Sequence, residues 1–418
     1  MSLLGFTFFC FIYLILNIKA MHIVYYATNF NIASIEMLTL LGRRVELIFY
    51  NNVKKSSKGG TIMRKTYIDN IKWITVVLVV FYHVIYMFNG VTTYGVIGPL
   101  SEFQPQDIFL YIVYPWFMFL LFVVSGMSAR FELDAKGENG FIRKRTRKYL
   151  VPSSIGLLVF WWILGYYNML ISGAVEAMAE VPKPVLFLIM CVSGTGPLWY
   201  IQMLWVFSVI LILIRKLEKD RLYKLTKRTN IFVLALLVVC VYGAALILNT
   251  PIIVVYRFGI YGLGFFVGYF IFSHDEVMDE LAKYWYIFSL VAVAFCIAFA
   301  ICNWGKSYPD HEVLDTLLCN AYAWFGTLGV MAFMKKWGET ENAFSAWMSK
   351  QSWGLYIFHY LPLAVSAWYI KQYAPQMQPL IVYILVIISS FAGSFLLNEV
   401  VRRIPFLRWC VLGINKQL

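Results

Sequence analysis

Charge is scarce in this chain of 418 residues: only 14% are Asp, Glu, Lys or Arg, while 61% are hydrophobic and 18% aromatic. A soluble domain carries about a quarter charged residues, so the shortage excludes an ordinary soluble protein and implies an integral membrane protein. Strand patterning is also missing. Short alternating segments with one polar face, the mark of a membrane barrel, do not occur, and backbone in lipid is otherwise satisfied only within helices. Cysteine supplies no framework: the seven residues Cys10, Cys191, Cys240, Cys296, Cys302, Cys319 and Cys410 are odd in number and lack metal-ligand spacing. Most lie in apolar runs, where cysteine packs as a small hydrophobe, so neither a disulfide scaffold nor a metal centre is expected. No duplicated halves are visible, although many carriers are built from repeats.

What the chain has in quantity is apolar runs about 20 residues long, the length of a bilayer-crossing helix. Ten spans are read as helices, roughly 71–90, 108–129, 149–171, 197–214, 230–249, 252–272, 284–303, 314–334, 352–370 and 379–401. The fold class is therefore an all-α polytopic bundle of about ten transmembrane helices embedded in a lipid bilayer.

The net charge of +13 is not a nucleic-acid signal, because the basic residues sort by loop. One set of loops carries Arg130 to Lys148, Arg215 to Arg228, and Lys335, Lys336 and Lys350. The alternate loops carry only Lys183, Lys306 and Lys371, and the C-terminal tail adds Arg402, Arg403, Arg408 and Lys416. Positive charge favours the cytoplasmic side, so both ends of the ten-span unit are expected to be cytoplasmic. The loop 273–283 falls on that side but is acidic, with Asp275, Glu276, Asp279 and Glu280.

Residues 1–62 do not share this pattern. The run Leu3 to Asn17 is short for a span and has no basic region ahead of it, as a signal peptide requires. Lys58-Gly59-Gly60-Thr61-Ile62-Met63 can be encoded by a purine-rich element, a spacer and a start codon, the layout of a bacterial ribosome-binding site. Met63 is accordingly read as the start and 1–62 as translated upstream sequence, the alternative being a genuine amphipathic or weakly spanning N-terminal segment. The functional unit is 63–418.

Within that unit the stretch 64–90 stands out, because an otherwise apolar helix opens with Asp69 and Lys72 and carries His83 near its middle. An ionisable side chain deep in a membrane helix is costly and marks a functional candidate. Lys72 and His83 are eleven residues apart, close to three whole turns and about 16 Å. They share one face, with Lys72 at the membrane edge and His83 buried below it. A histidine bonded to a neighbouring helix is the plainer alternative.

Further motifs follow in order: Ser125-Gly126 closing the second span, Arg145-x-x-Lys148 before Leu-Val-Pro152, and Gly196-Pro-Leu-Trp199 at the fourth span. Arg257 with Gly264-x-x-x-Gly268 follows in the sixth, and Ser352-Trp-Gly-Leu-Tyr-Ile-Phe-His359 in the ninth. Together with the Asp-x-x-Lys pair and the Lys72–His83 spacing, this series resembles the acyltransferase 3 family of membrane acyltransferases over about 63–418. The family's usual Arg-x-x-Arg departs here, with Lys148 as second member or Lys144-x-x-Arg147 as the pair.

The resemblance implies transfer of an acyl group, commonly acetyl, from cytoplasmic acyl-CoA to a hydroxyl of a glycan or other extracytoplasmic acceptor. Coenzyme A phosphates need a cationic site, which Lys72, Arg145, Lys148 and Arg147 supply, arginine offering bidentate contacts. His83 suits general acid/base work, and Asp69 is expected to orient a cation. Arg257 either contacts the acceptor or snorkels; His359 is expected to pack. Glu399 is expected to pair with Arg402 or Arg403, and the cluster Asp310, His311, Glu312 and Asp315 has no second matching cluster, so no metal is expected there. The rival from another class is a transporter of a glycan or lipid-linked saccharide, which has no need of a phosphate site.

Overall fold

Helix is the regular structure throughout the described residues, apart from one isolated bridge between Asn249 and Arg257. The computed structural model describes residues 65–92, 95–249 and 255–415, and residues 65–418 form one compact unit. The expectations for 1–62 and for the start at Met63 lie outside the described residues.

Helices of eight residues or more are numbered in chain order. They are α1 Thr66–Met87, α2 Ile108–Arg145, α3 Trp162–Ile171, α4 Lys183–Ser193, α5 Trp199–Glu218, α6 Val238–Ala245 and α7 Phe258–Val267. The series continues with α8 Asp275–Lys283, α9 Trp285–Asn303, α10 Leu317–Trp337, α11 Ala343–Phe358, α12 Tyr360–Tyr373, α13 Pro379–Arg403 and α14 Pro405–Leu412. Among the described residues six helices are long and apolar enough to cross a bilayer: Thr66–Met87, Pro105–Ala135, Gly196–Glu218, Trp285–Asn303, Leu317–Trp337 and Pro379–Arg403. Their burial separates centre from rim. The apolar window of α10 is 72% buried inside the protein and that of α9 only 11%, so α10 belongs to the core and α9 turns most of its apolar surface outward, where lipid must cover it.

The other apolar runs are interrupted helices. The third run is expected as a helix starting near Tyr149 with Pro152 in its first turn; instead α2 continues through Arg145 into wide turns at Thr146–Leu150 and Leu157–Trp161 before α3. Proline has no N–H and crowds the preceding turn, and around Pro152 the backbone bonds reach back five residues instead of four, at Val151 N–Thr146 O (3.1 Å) and Gly156 N–Val151 O (3.0 Å). The chain reverses earlier, at Gly137, whose φ of 66° favours glycine. The basic block 143–148 therefore lies on helix rather than in a loop. The ninth run is likewise divided into α11 and α12 at His359, three residues before Pro362, which cannot donate to the Phe358 carbonyl.

Small residues set the closest approach. A Cβ on Gly126 of α2 would stand 1.9 Å from the Phe265 carbonyl oxygen, and one on Gly268 would stand 1.9 Å from that of Val123. The two backbones thus touch, as the Ser125-Gly126 and Gly264-x-x-x-Gly268 sequences suggest. Gly165 and Gly194 make the same arrangement between α3 and the end of α4.

Polar contacts collect at two opposite ends of the bundle. At one end Asn70 donates to the Gly338 carbonyl (2.8 Å), Arg130 pairs with Asp220 (2.8 Å), and α8 pairs through Asp275 with Lys65 (2.5 Å) and through Asp279 with Lys335 (3.2 Å). The acidic stretch 273–283 is thus an amphipathic helix, its Val277, Met278 and Leu281 buried and its acids facing the neighbouring lysines. At the other end Gly90 N–H donates to Asp107 (2.9 Å), Gln106 to Tyr383 (3.1 Å) and Tyr111 to the Lys306 carbonyl (2.7 Å). The expected pairing of Glu399 is with Arg403, at 2.7 Å.

Candidate active site

His83 projects from the middle of α1 against the break between α11 and α12, where His359 sits fully buried. Their ring centroids are 4.9 Å apart, and His359 Nε2 is 3.1 Å from His83 Nδ1. Among the described residues each ring also meets a backbone carbonyl: Val79 O at 2.8 Å from His83 Nδ1, and Tyr356 O at 2.8 Å from His359 Nδ1. Carbonyls only accept, so in the neutral pair His359 Nδ1 carries its proton and Nε2 is left as an acceptor. His83 Nδ1 faces two acceptors and carries the other proton. The partners thereby assign His83 Nε2 as the nitrogen with a free lone pair.

That histidine lines a cavity of about 430 Å³. Eight aromatic side chains line it, Tyr82, Tyr86, Trp199, Tyr356 and Tyr360 among them, and Asn168, Ser172 and Ser193 add polar groups. Gly95, Met178, Val255 and Pro309 place the mouth among the connections at the end of the bundle opposite the basic one. The connection after α9 dips inward there: Tyr308 is fully buried, and its hydroxyl lies 3.1 Å from that of Tyr82, which holds neighbouring Pro309 at the cavity.

At the basic end, Lys72 lies 3.8 Å from Asp69, one turn before it on α1. Arg145 is buried; its Nε donates to Glu132 (3.1 Å) and its Nη1 to the Tyr149 hydroxyl (3.0 Å), while Lys144 also pairs with Glu132. Lys148 stands 4.3 Å over the Trp353 ring. Burial, then the charges of Lys144, Arg145 and Lys72, which outweigh Glu132, push its ammonium down to about 7. Lys72, distant in sequence, therefore shares one electropositive field with Arg145 and Lys148. Arg147 Nε donates to the Gly413 carbonyl (3.3 Å), tying the block to the chain after α14.

Arg257 is buried near the cavity end, its Nη2 3.3 Å from the Leu314 carbonyl and 3.6 Å from Asp315, with no partner for Nε among the described residues. Asp315 is shared with His311 at 3.1 Å. His359, expected to pack, does pack, but against the one histidine singled out for chemistry. The signal that finds this pair in sequence is the presence of two ionisable residues in separate membrane helices, since each needs a buried polar partner.

A family model described as an acyltransferase domain matches residues 65–399. No curated protein and no solved structure matches the chain.

Proposed function

This chain belongs to the acyltransferase 3 family, and from that premise we propose that it moves an acyl group, acetyl in the first instance, from cytoplasmic acyl-CoA to a hydroxyl of an extracytoplasmic or cell-envelope glycan, in a bacterial plasma membrane. The observation that carries the reading is the placement of His83: it faces a cavity whose mouth lies away from the basic end, on the same helix that holds Lys72 in the basic cluster. Acceptor and donor then approach one base from opposite ends. An aromatic wall suits a sugar ring, and the cluster around Lys148 suits the phosphates of coenzyme A.

In the reaction, His83 Nε2 takes the proton of the acceptor hydroxyl as its oxygen attacks the thioester carbonyl. The tetrahedral adduct collapses, the carbon–sulfur bond breaks, and the proton on His83 returns to the departing thiolate. The decisive test is incubation of purified protein with labelled acetyl-CoA and a panel of glycans or envelope fractions; absence of label in every acceptor overturns the reading.

Donor binding carries its own pH signature. With the Lys148 ammonium at about 7, raising the pH from 6 to 8 discharges it, and phosphate binding that needs the charge weakens by about tenfold over that interval. Lys148→Arg, charged throughout, flattens the dependence. Lys72→Ala weakens acyl-CoA binding by roughly 1.5–3 kcal/mol at either pH. Titration calorimetry with coenzyme A measures both, and equal affinity at pH 6 and 8 in the unsubstituted protein removes Lys148 from the site.

The same reading places ten spans across the membrane with both ends cytoplasmic. Reporter fusions after Gly137 and Lys224 should read inside, and fusions after Gly173 and Ser307 outside. An outside reading at Lys224 separates the basic cluster from cytoplasmic donor and undoes the scheme.

A further inference from the structure

We propose that His359 is a positioning residue for the transfer, holding His83 in its Nδ1–H tautomer and sharing the charge that His83 acquires when it takes the acceptor proton. The inference rests on the reading of His83 as the base. It is carried by the directions of three contacts rather than by proximity alone. The Tyr356 carbonyl fixes the proton of His359 on Nδ1, 2.8 Å away, and so turns the Nε2 lone pair toward His83 Nδ1 at 3.1 Å. A ring that met only solvent would be free to carry its proton on either nitrogen. Here His83 Nδ1–H is claimed by two acceptors, Val79 O and His359 Nε2, and Nε2 is left for the substrate.

The two acceptors are not equivalent. Val79 O is a helix carbonyl on the same element and follows α1 wherever it moves. His359 comes from the α11–α12 break, is fully buried, and stacks no closer to any ring than to His83 among its neighbours Tyr356 and Tyr360, at 6.1 and 6.2 Å. It fixes the imidazole plane relative to the cavity wall, in which Tyr356 and Tyr360 also stand. When His83 Nε2 gains the hydroxyl proton, the imidazolium N–H at Nδ1 points at a neutral nitrogen lone pair, a charge-assisted bond stronger than the neutral one. No proton is consumed: it enters at Nε2 and leaves from Nε2 to the thiolate. The Pro362 interruption has a use in this view, because it lets the chain turn His359 inward at the level of His83.

Three preparations decide the matter. His359→Leu removes the acceptor at similar bulk and is expected to lower kcat by about 100-fold, the lower end of a general-base contribution, with KM for acetyl-CoA unchanged. His359→Gln places an amide oxygen near the former Nε2 and should recover most of the loss. If Leu and Gln are equally impaired, or if Leu keeps full turnover while His83→Ala has none, the positioning role is wrong and Val79 O suffices. The 15N spectrum of imidazole-labelled protein, which holds five histidines, supplies a readout that needs no substrate: His83 should show an unprotonated Nε2 in the unsubstituted protein, and a protonated Nε2 there overturns the proposal even if the variants fail to fold. Full transfer by His83→Ala would instead overturn the proposed function, which keeps the two failures distinct.

Discussion

His83→Ala is expected to abolish acyl transfer, by about 10²- to 10⁴-fold, while affinity for acyl-CoA stays within a factor of two of the original. The separation of effects follows from the layout of α1. Its imidazole lies against His359 and the cavity, whereas Lys72 lies near the helix start beside Asp69 and in the field of Lys148. The two are eleven residues apart, about 16 Å along a helix, so the imidazole makes no contact with a group held at Lys72. Truncating the imidazole also leaves His359 Nε2 without its partner inside the protein, so some loss of stability accompanies the loss of turnover. His83→Gln, which keeps a polar group near His359 but has no basic nitrogen, distinguishes the two: it should be folded and inactive. A His83→Ala protein that transfers acyl groups at the normal rate returns this histidine to a packing role and leaves a glycan carrier as the better account of a cavity in a membrane bundle.

The parts of the fold legible in sequence are those set by one helix at a time. The apolar runs, the Lys72–His83 face and the glycines at 126 and 268 follow from length, period and side-chain volume, and the structure places Gly126 and Gly268 against each other's helices. Interruptions were harder. Pro152 and Pro362 sit in runs apolar enough to pass for unbroken spans, and only the backbone bonds around them reveal that one widens a helix and the other divides it. Partnerships were harder still. Arg145 and Lys148 read alike in sequence, yet Glu132, thirteen residues before Arg145, engages the guanidinium and leaves Lys148 as the cation whose charge is held down by its neighbours. That difference depends on the turn at Gly137, which folds α2 back so that Glu132 meets the block. His359 was the residue least legible, because its significance lies in the ring it touches and no spacing within its own helix encodes that contact.

Gly126→Ala or Gly268→Ala should cost the protein its folded state, measured as loss of the monodisperse peak in detergent and of membrane-inserted protein. The addition is a single methyl group, and elsewhere in a helix it is stabilising, since glycine lags alanine by about 1 kcal/mol in helix propensity. Here its position decides. The new Cβ would stand 1.9 Å from a carbonyl oxygen in either case, whereas carbon and oxygen in contact lie about 3.3–3.6 Å apart. The obstacle is backbone, so no rotamer relieves it, and α2 would have to move away from the Phe258–Phe272 segment by more than 1 Å. Both lie in the core: Phe122, Val123 and Val124 on one side and Phe265 and Tyr269 on the other are nearly or fully buried. Opening that seam also shifts Tyr261, a cavity residue stacked at 4.7 Å on Phe122. Gly243→Ala is the control, because its Cβ would meet nothing within 4 Å, and it should match or exceed the original stability. If Gly126→Ala and Gly243→Ala melt alike, the backbone contact between α2 and the Phe258–Phe272 segment is not what holds this bundle together, and the cavity wall at Tyr261 must owe its position to other packing.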